Sequence, residues 1–166
     1  LRPPLIYGKG DFSKGYGPTG FSYKVLNDEE ITLWGDGTEY REFVYVDDVS
    51  RIVTLLIKND YNGILNLVSG KSYNYKQVIE FLDKIIDKHL KVILRARTKD
   101  KVDHFYSSEL IHHVLGDFEF TGLRDGLRKT LSKIDWNMGM NTTGDIKLLI
   151  DLGMQPISNR YLKHLD

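Results

Sequence analysis

The chain has 166 residues, long enough for one domain with a real core. Lys plus Arg balance Asp plus Glu at 23 each, so no net positive field directs it to nucleic acid and no acidic run marks a disordered tail. Cysteine is absent, which excludes a disulfide framework, a thiolate metal site and a cysteine nucleophile; no apolar run approaches the roughly 20 residues of a membrane span, and a cytoplasmic location is expected.

The opening LRPPLIYG reads as a strand entering a glycine loop, and Leu5 and Ile6 need neighbours on both sides to be buried. The expectation is a chain that begins inside a fold, truncated at the N-terminus. A glycine-rich loop follows over Gly8 to Gly20, then a short helix from Phe21 to Asn27 and a strand over Ile31 to Trp34. Gly35-Asp36-Gly37 makes a turn, and Phe43 to Val46 is a second apolar strand rich in strand formers. Asp47 or Asp48 is placed to cap a helix over Val49 to Lys58, which carries Ile52, Val53, Leu55, Leu56 and Ile57. Asn62-Gly63 then turns the chain into a strand over Ile64 to Val68, closed by Ser69-Gly70.

The clearest helix comes next. Asn74 with Gln77 has the spacing of a capping box, Val78, Leu82, Ile85, Ile86 and His89 recur at helical intervals, and Lys76, Glu80, Asp83 and Asp87 fill the opposite face. Val92 to Leu94 reads as a strand, Arg95 to Asp100 as a polar loop, and Ser108 to Leu115 and Leu123 to Ile134 as closing helices. Strands alternating with helices give an α/β class.

Arg41 stands between the glycine turn and the Phe43 strand, where its guanidinium fork has the geometry to grip a diphosphate through two bonds. The same residue also reads as one member of a solvated salt-bridge network with Asp36, Glu39, Glu42 and Asp47. Gly15-Tyr16-Gly17-Pro18-Thr19-Gly20 matches a GxGxxG dinucleotide fingerprint, with Asp36 near the position of a ribose-binding acid. Against that match, a polar stretch from Lys9 to Lys14 separates it from the preceding strand, and Pro18 lacks one N–H. His112 and His113 face different directions on a helix and have no carboxylate at ligand spacing, so no metal site is expected. Trp34, Phe43 and Tyr45 are expected to pack in the core rather than stack on bases.

A series of segments in order carries a resemblance: RPPLIYG at Arg2 to Gly8, LWGDGTEYREFVYVDDV at Leu33 to Val49, ILNLVSG at Ile64 to Gly70, RTKD at Arg97 to Asp100, LGD at Leu115 to Asp117 and GLRDGLRKTL at Gly122 to Leu131. Residues 1 to 136 resemble the C-terminal, substrate-binding half of the NAD-dependent epimerase/dehydratase family, the extended short-chain dehydrogenases/reductases. The resemblance implies the edge of a Rossmann-like sheet with a small substrate domain. It also implies a nucleotide-diphosphate sugar as ligand, NAD or NADP in the complete enzyme, and a homodimer formed largely by helices outside this chain. Carried over position by position, Arg41 and Arg97 match the two family arginines that hold the substrate diphosphate, and Asp47 matches a structural anchor at a helix start.

The departures are specific. None of the ten tyrosines has a lysine four residues later, so the family's catalytic Tyr-x-x-x-Lys pair is absent and no catalytic residue is assigned. Leu5 stands where many relatives carry asparagine, and Lys9 replaces the proline of YGPG. No cofactor is expected to bind this chain alone, and the alternatives are a degenerate family member serving as a non-catalytic ligand- or partner-binding module and a free-standing dinucleotide binder using Gly15 to Gly20. In the tail over 137–166, Asp151 to Leu162 resembles the start of sugar C-methyltransferases, although Met140 to Gly144 lacks the cysteines of their zinc site.

Overall fold

The computed structural model describes residues 1–11 and 15–133. The tail, and with it the methyltransferase resemblance, lies outside the described residues. Among the described residues five strands and five helices follow in the order β1 (Leu5–Tyr7), α1 (Pro18–Leu26), β2 (Ile31–Trp34), β3 (Tyr40–Tyr45), α2 (Val46–Lys58), β4 (Ser72–Asn74), α3 (Tyr75–Ile86), β5 (Val92–Arg95), α4 (Glu109–Leu115) and α5 (Leu123–Lys133).

They form two small sheets. In the first, β3 is central, parallel to β1 with Leu5 opposite Phe43 and antiparallel to β4 with Arg41 opposite Tyr73. In the second, β2 runs parallel to β5, pairing Ile31 with Val92 and Trp34 with Arg95. One apolar core gathers Tyr7, Phe21, Ile31, Leu33, Phe43, Tyr45, Val78, Leu82 and Leu127; a second joins Ile52 and Leu56 of α2 to Leu65, Leu67, Ile111 and Phe118. Gly126 lets α5 sit directly on β1, since a Cβ there would lie 1.9 Å from the Tyr7 hydroxyl.

Leu5 and Ile6, which need neighbours on both sides to be buried, are 42 % and 41 % exposed, because β1 is the edge of its sheet and pairs only with β3 among the described residues. Several other expectations are corrected. The first helix starts at Pro18 rather than Phe21: proline's fixed φ suits the first helical position, where an N–H needs no partner. Trp34 is not a core residue but lies 41 % exposed, on the outward side of a strand that buries Ile31 and Leu33.

The second strand of the glycine-turn block begins at Tyr40, and the helix after it follows without a linker at Val46. Asp47 and Asp48 are therefore inside the first turn and neither caps it; Tyr45 holds that position with no side-chain bond. Both acids still favour the helix N-terminus electrostatically. Asp48 is buried and accepts hydrogen bonds from the Thr121 N–H at 2.7 Å and the Thr121 hydroxyl at 3.0 Å, with Arg51 at 3.0 Å. It ties α2 to the segment before α5. Ile64 to Val68 forms no strand; its only strand-like pairing among the described residues is a bridge between Asn66 and Arg2, although Leu65, Leu67 and Val68 are buried. His89 falls beyond the end of α3.

Candidate functional site

The glycine turn and the β2–β5 ladder bring Arg41 and Arg97 together. Gly35 donates its N–H to the Arg95 carbonyl at 2.7 Å, continuing the ladder one residue past Trp34 and placing the loop after β5 over the turn. Gly35 has φ +68°, and a Cβ there would meet the Arg97 Nε at 2.1 Å. The position demands glycine twice, once for backbone angle and once for the guanidinium lying against it.

Glu39 joins the two arginines. Its Oε1 pairs with the Arg41 Nη2 and its Oε2 accepts from the Arg97 Nη1 at 3.1 Å. Arg41 also donates through Nη1 to the carbonyls of Tyr40, at 2.8 Å, and Val102. The Arg97 Nη2 lies 3.5 Å from Asp36, and this buried nitrogen makes no hydrogen bond among the described residues. The side chains of Arg41, Glu39 and Arg97 are only 17 %, 17 % and 18 % exposed, so the trio is not a solvated salt-bridge network. Glu42 belongs to neither arginine. One residue further along the strand, it points to the other face, where Oε1 accepts the N–H groups of Ser69 and Gly70.

Two tyrosines border the arginine pair. The rings of Tyr16 and Tyr75 stand 4.5 Å apart, and the Tyr16 hydroxyl accepts the Trp34 N–H at 3.3 Å. Burial pushes the Tyr75 hydroxyl up to about 12, with the nearby Arg41 charge opposing the rise; burial raises Tyr16 as well. Both stay neutral hydroxyls at ordinary pH. Tyr16 also lines a cleft of about 470 Å³ whose walls include Leu5, Gly8, Gly17, Thr19 and Val46. The GxGxxG segment is thus one wall of this cleft, where the Thr19 hydroxyl accepts the Gly8 N–H at 3.0 Å and Gly17 precedes the helix with φ +131°.

Sequence reasoning named both arginines but missed Glu39 as their bridge. The available signal was its spacing, since residues two apart on extended chain share a face. His112 and His113 lie exposed on α4, and no group of three potential ligands is assembled among the described residues.

The model of the NAD dependent epimerase/dehydratase family matches residues 1–74. A UDP-glucuronate 4-epimerase of Thermodesulfobacterium geofontis is 34 % identical over 85 residues, which cover 46 % of this chain and 26 % of that protein. Solved UDP-glucose 4-epimerases of Thermotoga maritima, with UDP-glucose, and of Thermus thermophilus, with NAD, are each 25 % identical to this chain. Each superimposes with a TM-score of 0.69 over 80 % of this chain and 44 % of its own length. The chain spans less than half the length of these relatives. An α/β architecture that aligns with epimerase structures and a family match running through the glycine turn and Arg41 point the same way: in its first 74 residues and in its fold the chain is similar to the NAD-dependent epimerase/dehydratase family.

Proposed function

We propose that this chain is the substrate-binding portion of an NAD-dependent sugar-nucleotide epimerase or dehydratase, in which Arg41 and Arg97 hold the diphosphate of a nucleotide-diphosphate sugar. The observation that carries this reading is the convergence of two largely buried guanidinium groups from distant parts of the chain on one acidic group. Two planar forks meeting at one point suit an anion with several oxygens, and the diphosphate is the non-reacting handle by which such a substrate is positioned. Tyr16 links the arginine pair to the cleft, which gives the sugar a place to extend.

In the complete enzyme NAD supplies a hydride acceptor for a sugar hydroxyl. No residue of this chain is assigned to that cofactor: Pro18 has no N–H to offer a pyrophosphate, and the sequence holds no Tyr-x-x-x-Lys pair. No catalytic step is assigned to it, and alone it is expected to be inactive. The missing pair also favours a second reading, a non-catalytic module that retains the ligand site.

Calorimetric titration with UDP-glucose tests the diphosphate assignment. Arg41→Ala and Arg97→Ala are each expected to weaken binding more than tenfold, in line with loss of a charge-assisted bond worth about 1.5–3 kcal/mol. Equal affinity in wild type and both variants, or no binding by the wild-type chain, would count against it. Tight binding of NAD would restore the GxGxxG segment as a dinucleotide site.

A further inference from the structure

The group on which the two arginines converge is part of the chain itself. Glu39 presents its two oxygens to two different guanidinium groups, as neighbouring oxygens of a bound anion would. Arg41 spends Nη1 on the carbonyls of Tyr40 and Val102, Glu39 holds one Nη group of each arginine, and Arg97 Nη2 makes no hydrogen bond among the described residues.

Glu39 is also placed to move. It lies between the glycine turn and β3, one residue before Tyr40, where the ladder to β4 begins opposite Asn74. Swinging its side chain out breaks no strand pairing. Its backbone neighbour is fixed independently, since the Tyr40 N–H is held by Asp103 at 2.9 Å. The arginines, by contrast, are anchored by backbone carbonyls and by the close approach to Gly35.

We propose that Glu39 is an internal occupant of the anion site, a carboxylate that a ligand diphosphate must displace, so that this residue sets the affinity and threshold for binding. This rests on the diphosphate reading of Arg41 and Arg97 given above. While Glu39 is seated, the two guanidinium charges are held together without mutual repulsion and weakly competing anions are kept out. A diphosphate, with more oxygens and more charge, takes over both partners and releases the carboxylate towards solvent.

The test measures dissociation constants of inorganic pyrophosphate and of UDP-glucose for the full chain, by calorimetry at fixed ionic strength, in wild type, Glu39→Gln and Glu39→Asp. Glu39→Gln is expected to bind pyrophosphate at least tenfold more tightly than wild type. Glu39→Asp keeps the charge but is one methylene too short to span both arginines, and it is expected to gain in the same direction. It decides the matter if Glu39→Gln does not fold. Unchanged or weaker pyrophosphate binding in the variants, including no binding at all, overturns the proposal, even where Arg41→Ala shows that the diphosphate reading holds. Tighter pyrophosphate binding with no further gain for UDP-glucose upholds Glu39 as the internal occupant and overturns the nucleotide-sugar reading instead.

Discussion

Glu42 shows how one step along a strand separates two fates. Glu39 and Arg41 face the site, whereas Glu42 is buried on the other side, with Oε1 accepting the Ser69 and Gly70 N–H groups and Oε2 without a hydrogen bond among the described residues. Burial pushes its carboxyl above the ordinary value of 4.5, and the bonds from Ser69 and Gly70 only partly oppose this. The folded state therefore holds a proton where the unfolded state has lost it. Stability from this group is greatest below 4.5 and falls as pH rises from there through the raised folded value. Urea unfolding of wild type and Glu42→Gln across that range should show wild type losing stability relative to the variant as pH rises, and a constant difference would count against the assignment. At the same scale Arg41 is singled out by a short block of glycines, arginine and aspartates, and Arg97 by the separate RTKD segment, both through resemblance to a known family. Their bridging by Glu39 is not. Glu39 and Arg97 lie 58 residues apart, and nothing local marks which acid reaches which base.

At the scale of elements, legibility follows how much of each element's stability is local. The helix α3 can be read with its cap because every signal is within reach of its neighbours: the Asn74 side chain accepts the Gln77 N–H at 2.9 Å, and the Gln77 side chain accepts the Asn74 N–H at 2.9 Å. Asn74→Ala should lower the stability of the chain by about 1 kcal/mol, measurable as a shift in the urea midpoint with unchanged slope. The three-residue β4 is not legible, because Ser72, Tyr73 and Asn74 have no apolar alternation and become a strand only through pairing with β3. Ile64 to Val68 misleads in the opposite sense. Its alternating burial mimics a strand, but the first residues of the chain pair with it at a single position. The true start of α1 is masked because Pro18 reads as a breaker until its position at the helix start is known.

Across the whole molecule, the α/β class is evident from the alternation of strands and helices, but the division into two sheets depends on long-range pairing that periodicity does not encode. In this arrangement Gly126 of α5 lies tightly against the Tyr7 side chain of β1. Gly126→Ala would drive a methyl group into the Tyr7 hydroxyl, which reaches towards the Leu123 carbonyl at 3.5 Å, so either the ring or the helix must shift. Overpacking of this kind should cost about 1–3 kcal/mol, read as a lower thermal midpoint, while an unchanged midpoint would show that Tyr7 has room to turn. The parallel ladder between β2 and β5 carries a different consequence. A slip of one residue would displace the loop bearing Arg97 by roughly 3.3 Å along the strand and reverse which side each residue faces. The paired arginines thus form only when two distant segments are in register; under the proposed diphosphate reading, a ligand that prefers them together acts as a template, rewarding the correct alignment over its misaligned competitors.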